Sequence, residues 1–153
     1  MTTRTKDLFI KPNRVALISI HPCFVEKILT GEKRLEFRRI WAVQSLDMLL
    51  IYSTSPIQRI VASVNIVNVT KGTPTSLWEL AKDNRGGVTR QLIYDYFEGK
   101  KTGYAIEMAN VIKFKKPVDP KKILTNFFAP QSFRYLAAGD YKKILKESNG
   151  AVA

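Results

Sequence analysis

Apolar and polar positions change their spacing within one short stretch, residues 21–39. In its first half the apolar residues recur at spacings of one, three and four, which predicts one face of a short helix. These residues are Phe24, Val25, Ile28 and Leu29. Pro22 suits the first position of that helix, and Gly31 suits the left-handed residue just past its end. From residue 34 the pattern alternates, so we expect a strand whose charged face carries Arg34, Glu36 and Arg38.

The rest of the chain shows further strand and helix patterns that do not alternate regularly. Apolar runs at 15–20 and 48–52 predict strands covered on both faces. Alternating patterns at 59–69 and 104–114 predict long strands, the second ending at Pro117. Thr73 and Thr89 are suited to cap two helices, and Asp140 can start a last helix.

This order of elements predicts an α+β fold with a mostly antiparallel or mixed sheet and inserted helices. Such a sheet can close into a small barrel. A chain of 153 residues fits one domain with a sizeable core. We expect an N-terminal arm at 1–13, a single domain at 14–147 and a frayed tail at 148–153.

The charge balance narrows the class of partner. The chain has 25 Lys and Arg against 13 Asp and Glu, a net charge of +12. This excess favours a polyanion, for which nucleic acid is the usual candidate, and RNA and DNA both stay open. An interaction module with a basic surface for another protein is a further alternative.

Other classes are disfavoured by what the composition lacks. No apolar run approaches the about 18 residues of a membrane span, and residues 1–7 have no apolar signal core, so we expect a cytoplasmic protein. The only cysteine is Cys23 and the only histidine is His21. We therefore expect no disulfide, no metal site and no cofactor.

The charged strand holds the leading candidate residues. Lys33 follows the turn, where its ammonium could reach a phosphate; as a general base it would need burial to lower its pKa. The alternative is a solvated turn lysine. Glu36 lies between two arginines on one face, where it either holds Arg38 in a bidentate pair or serves the chemistry directly. In the second case it accepts from a base amino group or acts as a general base.

Two polar segments are candidates for the opposite wall of a cleft. Ser53, Thr54 and Ser55 follow a buried strand and can offer hydroxyl and backbone donors to phosphate or base edges. A later segment combines amide, hydroxyl and cation in Gln131, Ser132 and Arg134, which suits a single-stranded or flipped base.

Residues 31–38 match the pattern G-x-K-x-x-E-x-R, which resembles the signature of the ASCH domain family. The resemblance extends to segments 51–56, 103–107 and 130–133, and in all it covers roughly residues 15–136. It implies a PUA-like β-barrel with a cleft beside the motif that binds RNA or a nucleotide. Lys33, Glu36 and Arg38 would line that cleft, and a regulatory role in transcription or translation would follow by analogy only.

Some members of that family are enzymes. One kind hydrolyses an acetylated cytidine nucleoside and another is a ribonuclease. The amidohydrolase kind carries Lys-x-x-Thr with the threonine as its proposed nucleophile, whereas Glu36 stands at that position here, so its chemistry is not carried over. The second hypothesis is nonetheless a metal-independent enzyme acting on RNA or a modified nucleoside, with Lys33 and Glu36 as the acid–base pair.

Overall fold

The computed structural model describes residues 14–149. The predicted arm at 1–13 and residues 150–153 of the predicted tail lie outside this range. The described chain forms six strands, four α-helices and one 3₁₀ turn. In chain order these are β1 (Val15–Ile20), α1 (Pro22–Thr30), β2 (Leu35–Arg38), β3 (Met48–Ser53), β4 (Arg59–Gly72), α2 (Pro74–Asp83), α3 (Arg90–Tyr96), β5 (Gly103–Val118), the 3₁₀ turn (Pro120–Lys122), β6 (Phe133–Leu136) and α4 (Ala138–Asn149).

The six strands form one mixed sheet in the order β2-β5-β4-β3-β1-β6. β1 and β3 are parallel, with Val15 opposite Met48, and the other neighbours are antiparallel. The predicted α+β fold with a mixed sheet is therefore confirmed. β2 and β6 are the edge strands, and no backbone pairing joins them within residues 14–149, so the predicted closure into a barrel is not confirmed.

Alternation along β1 and β3 separates the core into two faces. On one face Ala16, Ile18 and Ile20 pack with Val25 and Ile28 of α1. On the other face Val15 and Leu17 pack with Tyr141 and Ile144 of α4. A third cluster packs α2 and α3 against β2 and β5, and it includes Leu35, Phe37, Leu77, Ile93 and Phe97.

The predicted helix boundaries follow from local capping chemistry. Pro22 stands at the start of α1, and Gly31 ends this helix with a φ of 88°. The side chains of Thr73 and Thr89 accept backbone N–H bonds at 3.2 and 3.1 Å from Ser76 and Leu92. These two capping predictions are confirmed.

Three boundaries differ from the prediction. β5 continues through Pro117 instead of ending there. A strand tolerates proline where one of its sides has no neighbouring strand, and β2 pairs only with residues 104–107 of β5, so that side is free at Pro117. β6 was not predicted, because its four residues have no alternation and pairing with β1 defines it. α4 begins at Ala138 and reaches Asn149, so residues 148 and 149 belong to a helix; Ser148 is 3% exposed and its hydroxyl bonds the Leu145 carbonyl.

Candidate functional site

The turn after α1 directs Lys33 into the protein. The Lys33 backbone N–H donates to the Lys27 carbonyl at 3.0 Å, and the residue is only 2% exposed. Its Nζ lies 5.1 Å from the ring centroids of both Phe24 and Phe37, one from α1 and one from β2. The alternative of a solvated turn lysine is therefore wrong.

The buried ammonium has two polar neighbours. Lys33 Nζ donates to the Gly86 carbonyl at 2.9 Å and lies 3.8 Å from Glu36 Oε1. Burial lowers the pKa of Lys33 below the usual value for an amine, and the nearby Glu36 carboxylate opposes that shift. The burial that an acid–base role for this lysine requires is present.

Glu36 is 7% exposed and divides its two oxygens between two cations. Oε2 accepts from Arg38 Nε at 3.0 Å and from Arg38 Nη2 at 2.7 Å, so two donors of one guanidinium converge on a single oxygen. Oε1 is the atom nearer to Lys33. The predicted support of Arg38 by Glu36 is thus observed, and Oε1 is left on the side of the ammonium.

Arg38 reaches from one edge of the sheet to the other. Its Nη2 donates to the Ser19 carbonyl of β1 at 2.7 Å, and its Nη1 donates to the Ser132 carbonyl just before β6 at 3.4 Å. These bonds bring the segment at Gln131 and Ser132, which was predicted for the opposite wall of a cleft, beside the charged strand. Ser132 contributes its carbonyl to this contact.

A cavity of about 300 Å³ opens beside these groups. Its polar lining consists of Lys33, Glu36, Arg38 and Gln131. Its apolar and aromatic lining consists of Phe24, Phe37, Val88, Leu92, Ile93 and Tyr96. A few polar groups converging in a mostly apolar pocket are typical of a small-ligand site.

One wall of the cavity comes from α3, the helix that Thr89 caps. Ile93 is buried, whereas Leu92 is 45% and Tyr96 is 40% exposed. The pKa of Tyr96 is raised, mainly by burial of the ring. Arg38 lowers this pKa and Glu36 raises it, so the phenol interacts electrostatically with the charged groups of the site. The sequence predicted the Thr89 cap of this helix, but not that the helix contributes a wall to the cavity beside β2.

Arg39 attaches this helix to β2. Its Nη1 donates to the carbonyls of Tyr96 at 2.7 Å and Glu98 at 3.0 Å, at the carboxyl end of α3. A cation is favourable there because helix carbonyls concentrate negative charge at that end. The adjacent residues Arg38 and Arg39 therefore bond different walls of the cavity: Arg38 bonds the segment before β6, and Arg39 bonds the end of α3.

The other predicted residues are elsewhere. Ser53 ends β3 and is 3% exposed, and Thr54 N–H donates to the Ile20 carbonyl at 3.1 Å. Neither they nor Ser55 are among the cavity-lining residues, and Arg134 is half-buried in β6 away from that lining. Their predicted binding role has no geometric support from this cavity.

The described part of the chain contains neither a cluster of metal-ligating side chains nor a helix suited to span a membrane. Between residues 14 and 149, no three His, Cys, Asp or Glu side chains come close enough to hold a metal ion. None of the helices in that range has the length and apolar composition that crossing a bilayer requires.

Comparison with known proteins identifies similar chains. A family model described as the ASCH domain matches residues 18–118. The chain is 27% identical over 143 residues to an ASCH domain-containing ribonuclease of Zymomonas mobilis, covering 89% of this chain and 93% of that protein.

Solved structures agree with this similarity. A crystal structure of ASCH from Zymomonas mobilis superposes with a TM-score of 0.80 at 27% identity, over 86% of this chain and 94% of the other. The structure of a serine-to-alanine variant of that protein superposes with a TM-score of 0.82, over 90% of this chain and 99% of the other. The N-terminal domain of McrB from Staphylothermus marinus shares the fold alone, with a TM-score of 0.57 at 12% identity over 86% and 93%.

Proposed function

Since the chain belongs to the ASCH domain family, we propose that it binds RNA and takes one unpaired nucleotide into the cavity beside Lys33, Glu36 and Arg38. The observation that carries the proposal is the pairing, in one cavity, of aromatic walls with a carboxylate, an ammonium and an amide. Its volume of about 300 Å³ is at the lower end of the range for ligand pockets, which suits one nucleotide better than a helical segment.

The lining matches the two means by which proteins hold unstacked bases. Tyr96, partly exposed at the wall, offers a ring on which a base can stack. Glu36 Oε1 accepts from an N–H on the edge of a base, while Lys33 and Gln131 donate to a ring nitrogen or carbonyl. Arg38 is committed to Glu36 and two carbonyls, so we assign it to holding the site together.

The partner class is supported by charge and by similarity. A net charge of +12 favours a polyanion, and a relative of similar length bears the name ribonuclease. We therefore propose RNA as the partner of this chain. Comparing the affinity for an RNA with that for a DNA of the same sequence tests this choice.

Tyr96→Ala tests the cavity directly. Fluorescence anisotropy with a labelled single-stranded RNA of about 12 nucleotides would measure affinity, a length within the footprint of small single-strand-binding domains. Loss of one stacking ring is worth about 1–3 kcal/mol, so we expect the dissociation constant to rise roughly five-fold to 150-fold.

Tyr135→Ala is a matched control. Tyr96 is 40% exposed and packs edge-on against Phe97, and Tyr135 is similarly 41% exposed and packs edge-on against Phe133. Unlike Tyr96, Tyr135 does not line the cavity. This variant should bind RNA like the unaltered protein. Equal affinities for Tyr96→Ala, Gln131→Ala and Tyr135→Ala would sink the cavity proposal.

RNA cleavage is the second candidate, and the buried amine with a lowered pKa favours it. In this scheme Glu36 Oε1 takes the proton from a ribose 2′-hydroxyl, whose oxygen attacks the adjacent phosphorus. The bond to the 5′-oxygen breaks, and that oxygen receives a proton from the Lys33 ammonium. The products are a 2′,3′-cyclic phosphate and a 5′-hydroxyl; Glu36 ends protonated and Lys33 ends as the neutral amine.

Incubation of labelled RNA with protein in EDTA tests this second candidate. Glu36→Gln should abolish cleavage while RNA binding persists, because the amide keeps an acceptor oxygen but cannot take the proton. A single 2′-deoxy nucleotide at the cleaved position should block the reaction. Intact RNA at high concentrations of the unaltered protein would contradict the cleavage scheme and leave the binding proposal standing.

A further inference from the structure

Positive charge is concentrated in the last part of the described chain. Residues 111–149 contain nine Lys and Arg against three Asp and Glu, a net charge of +6 out of +12 in about a quarter of the chain. The eight lysines of this segment are all exposed. They are Lys113, Lys115, Lys116, Lys121, Lys122, Lys142, Lys143 and Lys146.

The fold places two of these lysines, Lys116 and Lys122, in the lining of one depression. α4 packs on the end of β5, and Lys116 Nζ lies 3.9 Å from Glu147 of that helix. A hollow of about 220 Å³ forms there. We call it the basic furrow and define it by its charged lining: Arg59, Lys116, Asp119, Lys122 and Glu147.

The carboxylates of the furrow leave its cations available. Arg59 lies 4.0 Å from Asp119, and both ion pairs of the furrow are at the outer limit of contact. The Lys116 and Glu147 side chains are 63% and 55% exposed, so water screens their attraction. Lys143 stands four residues before Glu147 on α4 and therefore lies on the same side of the helix.

We propose that the basic furrow is a second RNA contact, which binds phosphates of the strand outside the cavity; this inference rests on RNA being the partner. Within the described chain its lining contains no aromatic residue, so it offers charge for phosphates and no ring for a base. The furrow belongs to the face of the sheet covered by α4, whereas α1 and the cavity lie on the other face. The two sites therefore engage different nucleotides of one strand.

The chemistry of the furrow favours RNA over an acidic protein. The centres of protein–protein interfaces are rich in aromatic residues, Met and Arg and poor in Lys. Two of the three cations that line the furrow, Lys116 and Lys122, are lysines, and the uncharged lining residues are Pro117, Val118 and Ile123. Exposed lysines without an aromatic ring beside them fit a flexible line of phosphates.

A triple variant, Lys116→Gln with Lys122→Gln and Lys143→Gln, tests the furrow. Affinity would be measured across a series of salt concentrations for an RNA of about 12 nucleotides and for a trinucleotide. Each lost phosphate contact on a single strand lowers the slope of log affinity against log salt by about 0.7, so we expect a drop of about 2 for the longer RNA. The trinucleotide should bind the triple variant and the unaltered protein with the same affinity, since it is long enough to fill the cavity only.

The matched control removes three exposed lysines elsewhere: Lys82→Gln with Lys100→Gln and Lys101→Gln. It loses the same net charge, and its slope for the longer RNA should stay close to that of the unaltered protein. A furrow variant whose slope equals that of the control would overturn the proposal. So would release of the longer RNA by a polyglutamate peptide as effective as an RNA competitor, which would assign the furrow to an acidic protein.

Failure of the cavity and failure of the furrow give different results. If Tyr96→Ala leaves trinucleotide binding unchanged while the furrow variant lowers the slope, the cavity proposal fails and the furrow stands. If Tyr96→Ala weakens trinucleotide binding and the furrow variant has no effect on the slope, the furrow proposal fails alone.

Discussion

Lys33 is a buried charged side chain whose ammonium keeps polar partners inside the protein. Its ammonium lies 5.1 Å from the centroids of two aromatic rings, donates to a carbonyl and has a carboxylate 3.8 Å away. Removing an ammonium from water is unfavourable unless such partners replace the lost hydration. Burial is the larger influence, so the charged form is less favoured in the folded protein than in the unfolded chain.

This imbalance predicts how stability depends on pH. Between the lowered pKa of folded Lys33 and the usual 10.5, the folded amine is neutral while the unfolded chain keeps its proton. The unfolded state then binds more protons, so this residue makes the unfolding free energy rise with pH across the window, by up to about 1.4 kcal/mol per pH unit.

Lys33→Met should remove that rise. The measurement is urea unfolding at a series of pH values, taken as the difference between the unaltered protein and the variant so that other titrating groups cancel. The exposed Lys100→Met controls for loss of a surface charge. A difference that stays constant from neutral pH to 10.5 would contradict the burial argument.

At the scale of elements, the segment after α2 closes over Lys33 and is held by backbone bonds. Arg34 N–H donates to the Arg85 carbonyl at 2.6 Å, and Gly86 N–H donates to the Ala81 carbonyl at 2.8 Å. Gly87 has a φ of 71°, and a Cβ at this position would stand 2.5 Å from the Lys33 Cβ. Both conformation and space therefore require glycine there.

Gly87→Ala and Gly31→Ala separate these two requirements. Gly31 also has a positive φ, of 88°, but a Cβ there would meet nothing within 4 Å. We expect Gly31→Ala to lower the unfolding free energy by about 1 kcal/mol through strain alone. Gly87→Ala adds overpacking and should lower it by about 2–4 kcal/mol in denaturant titration. Equal losses for the two variants would mean that the segment moves away from Lys33 without resistance.

α3 is a seven-residue helix whose position relative to β2 depends on Arg39. Arg39→Met removes both bonds to its carboxyl end, each worth about 1 kcal/mol at a partly exposed site. Hydrogen exchange should therefore quicken several-fold for the amides of α3 and stay unchanged for those of β1. Trinucleotide affinity should fall with it, because Leu92 and Tyr96 lose their alignment.

Arg90→Met is the control on the same helix. Arg90 lies over the Tyr94 ring at 4.7 Å, is exposed and does not line the cavity, so the charge lost is the same. Its exchange pattern and RNA affinity should match the unaltered protein. If both variants weaken trinucleotide binding equally, Arg39 acts only through net charge.

For the whole molecule, Arg38 is the link between the two edges of an open sheet. It starts on β2, at one end of the strand order, and bonds the Ser19 carbonyl within β1 and the Ser132 carbonyl just before β6, at the other end. The ASCH resemblance implied a closed barrel, whereas within residues 14–149 the edges are joined by this side chain and by packing of the core.

Arg38→Lys keeps the charge and loses the planar fork. A lysine ammonium cannot bond Glu36, the Ser19 carbonyl and the Ser132 carbonyl in this geometry. We expect the unfolding free energy to fall by about 2–3 kcal/mol in urea, since several charge-assisted bonds are lost and Glu36 stays buried. Arg34→Lys, on an exposed neighbour, should change stability by less than about 0.5 kcal/mol, and a loss that small for Arg38→Lys would contradict its linking role.

Local physics made much of this protein predictable from its sequence. The helix at Pro22–Thr30, its glycine end, the charged strand and the threonine caps depend on residues a few positions apart. Backbone propensity and side-chain period therefore determine them. The candidate triad of Lys33, Glu36 and Arg38 was found for the same reason, because it lies within six consecutive residues.

Only the tertiary structure decided what this strand faces. The α3 wall, the carbonyls bonded by Arg38 and the furrow between β5 and α4 each join residues far apart in the chain. β6 is defined by its pairing with β1, and Lys33 is covered in part by the distant segment at Gly86 and Gly87. Such contacts depend on how whole elements pack, and no local pattern of side chains specifies that packing.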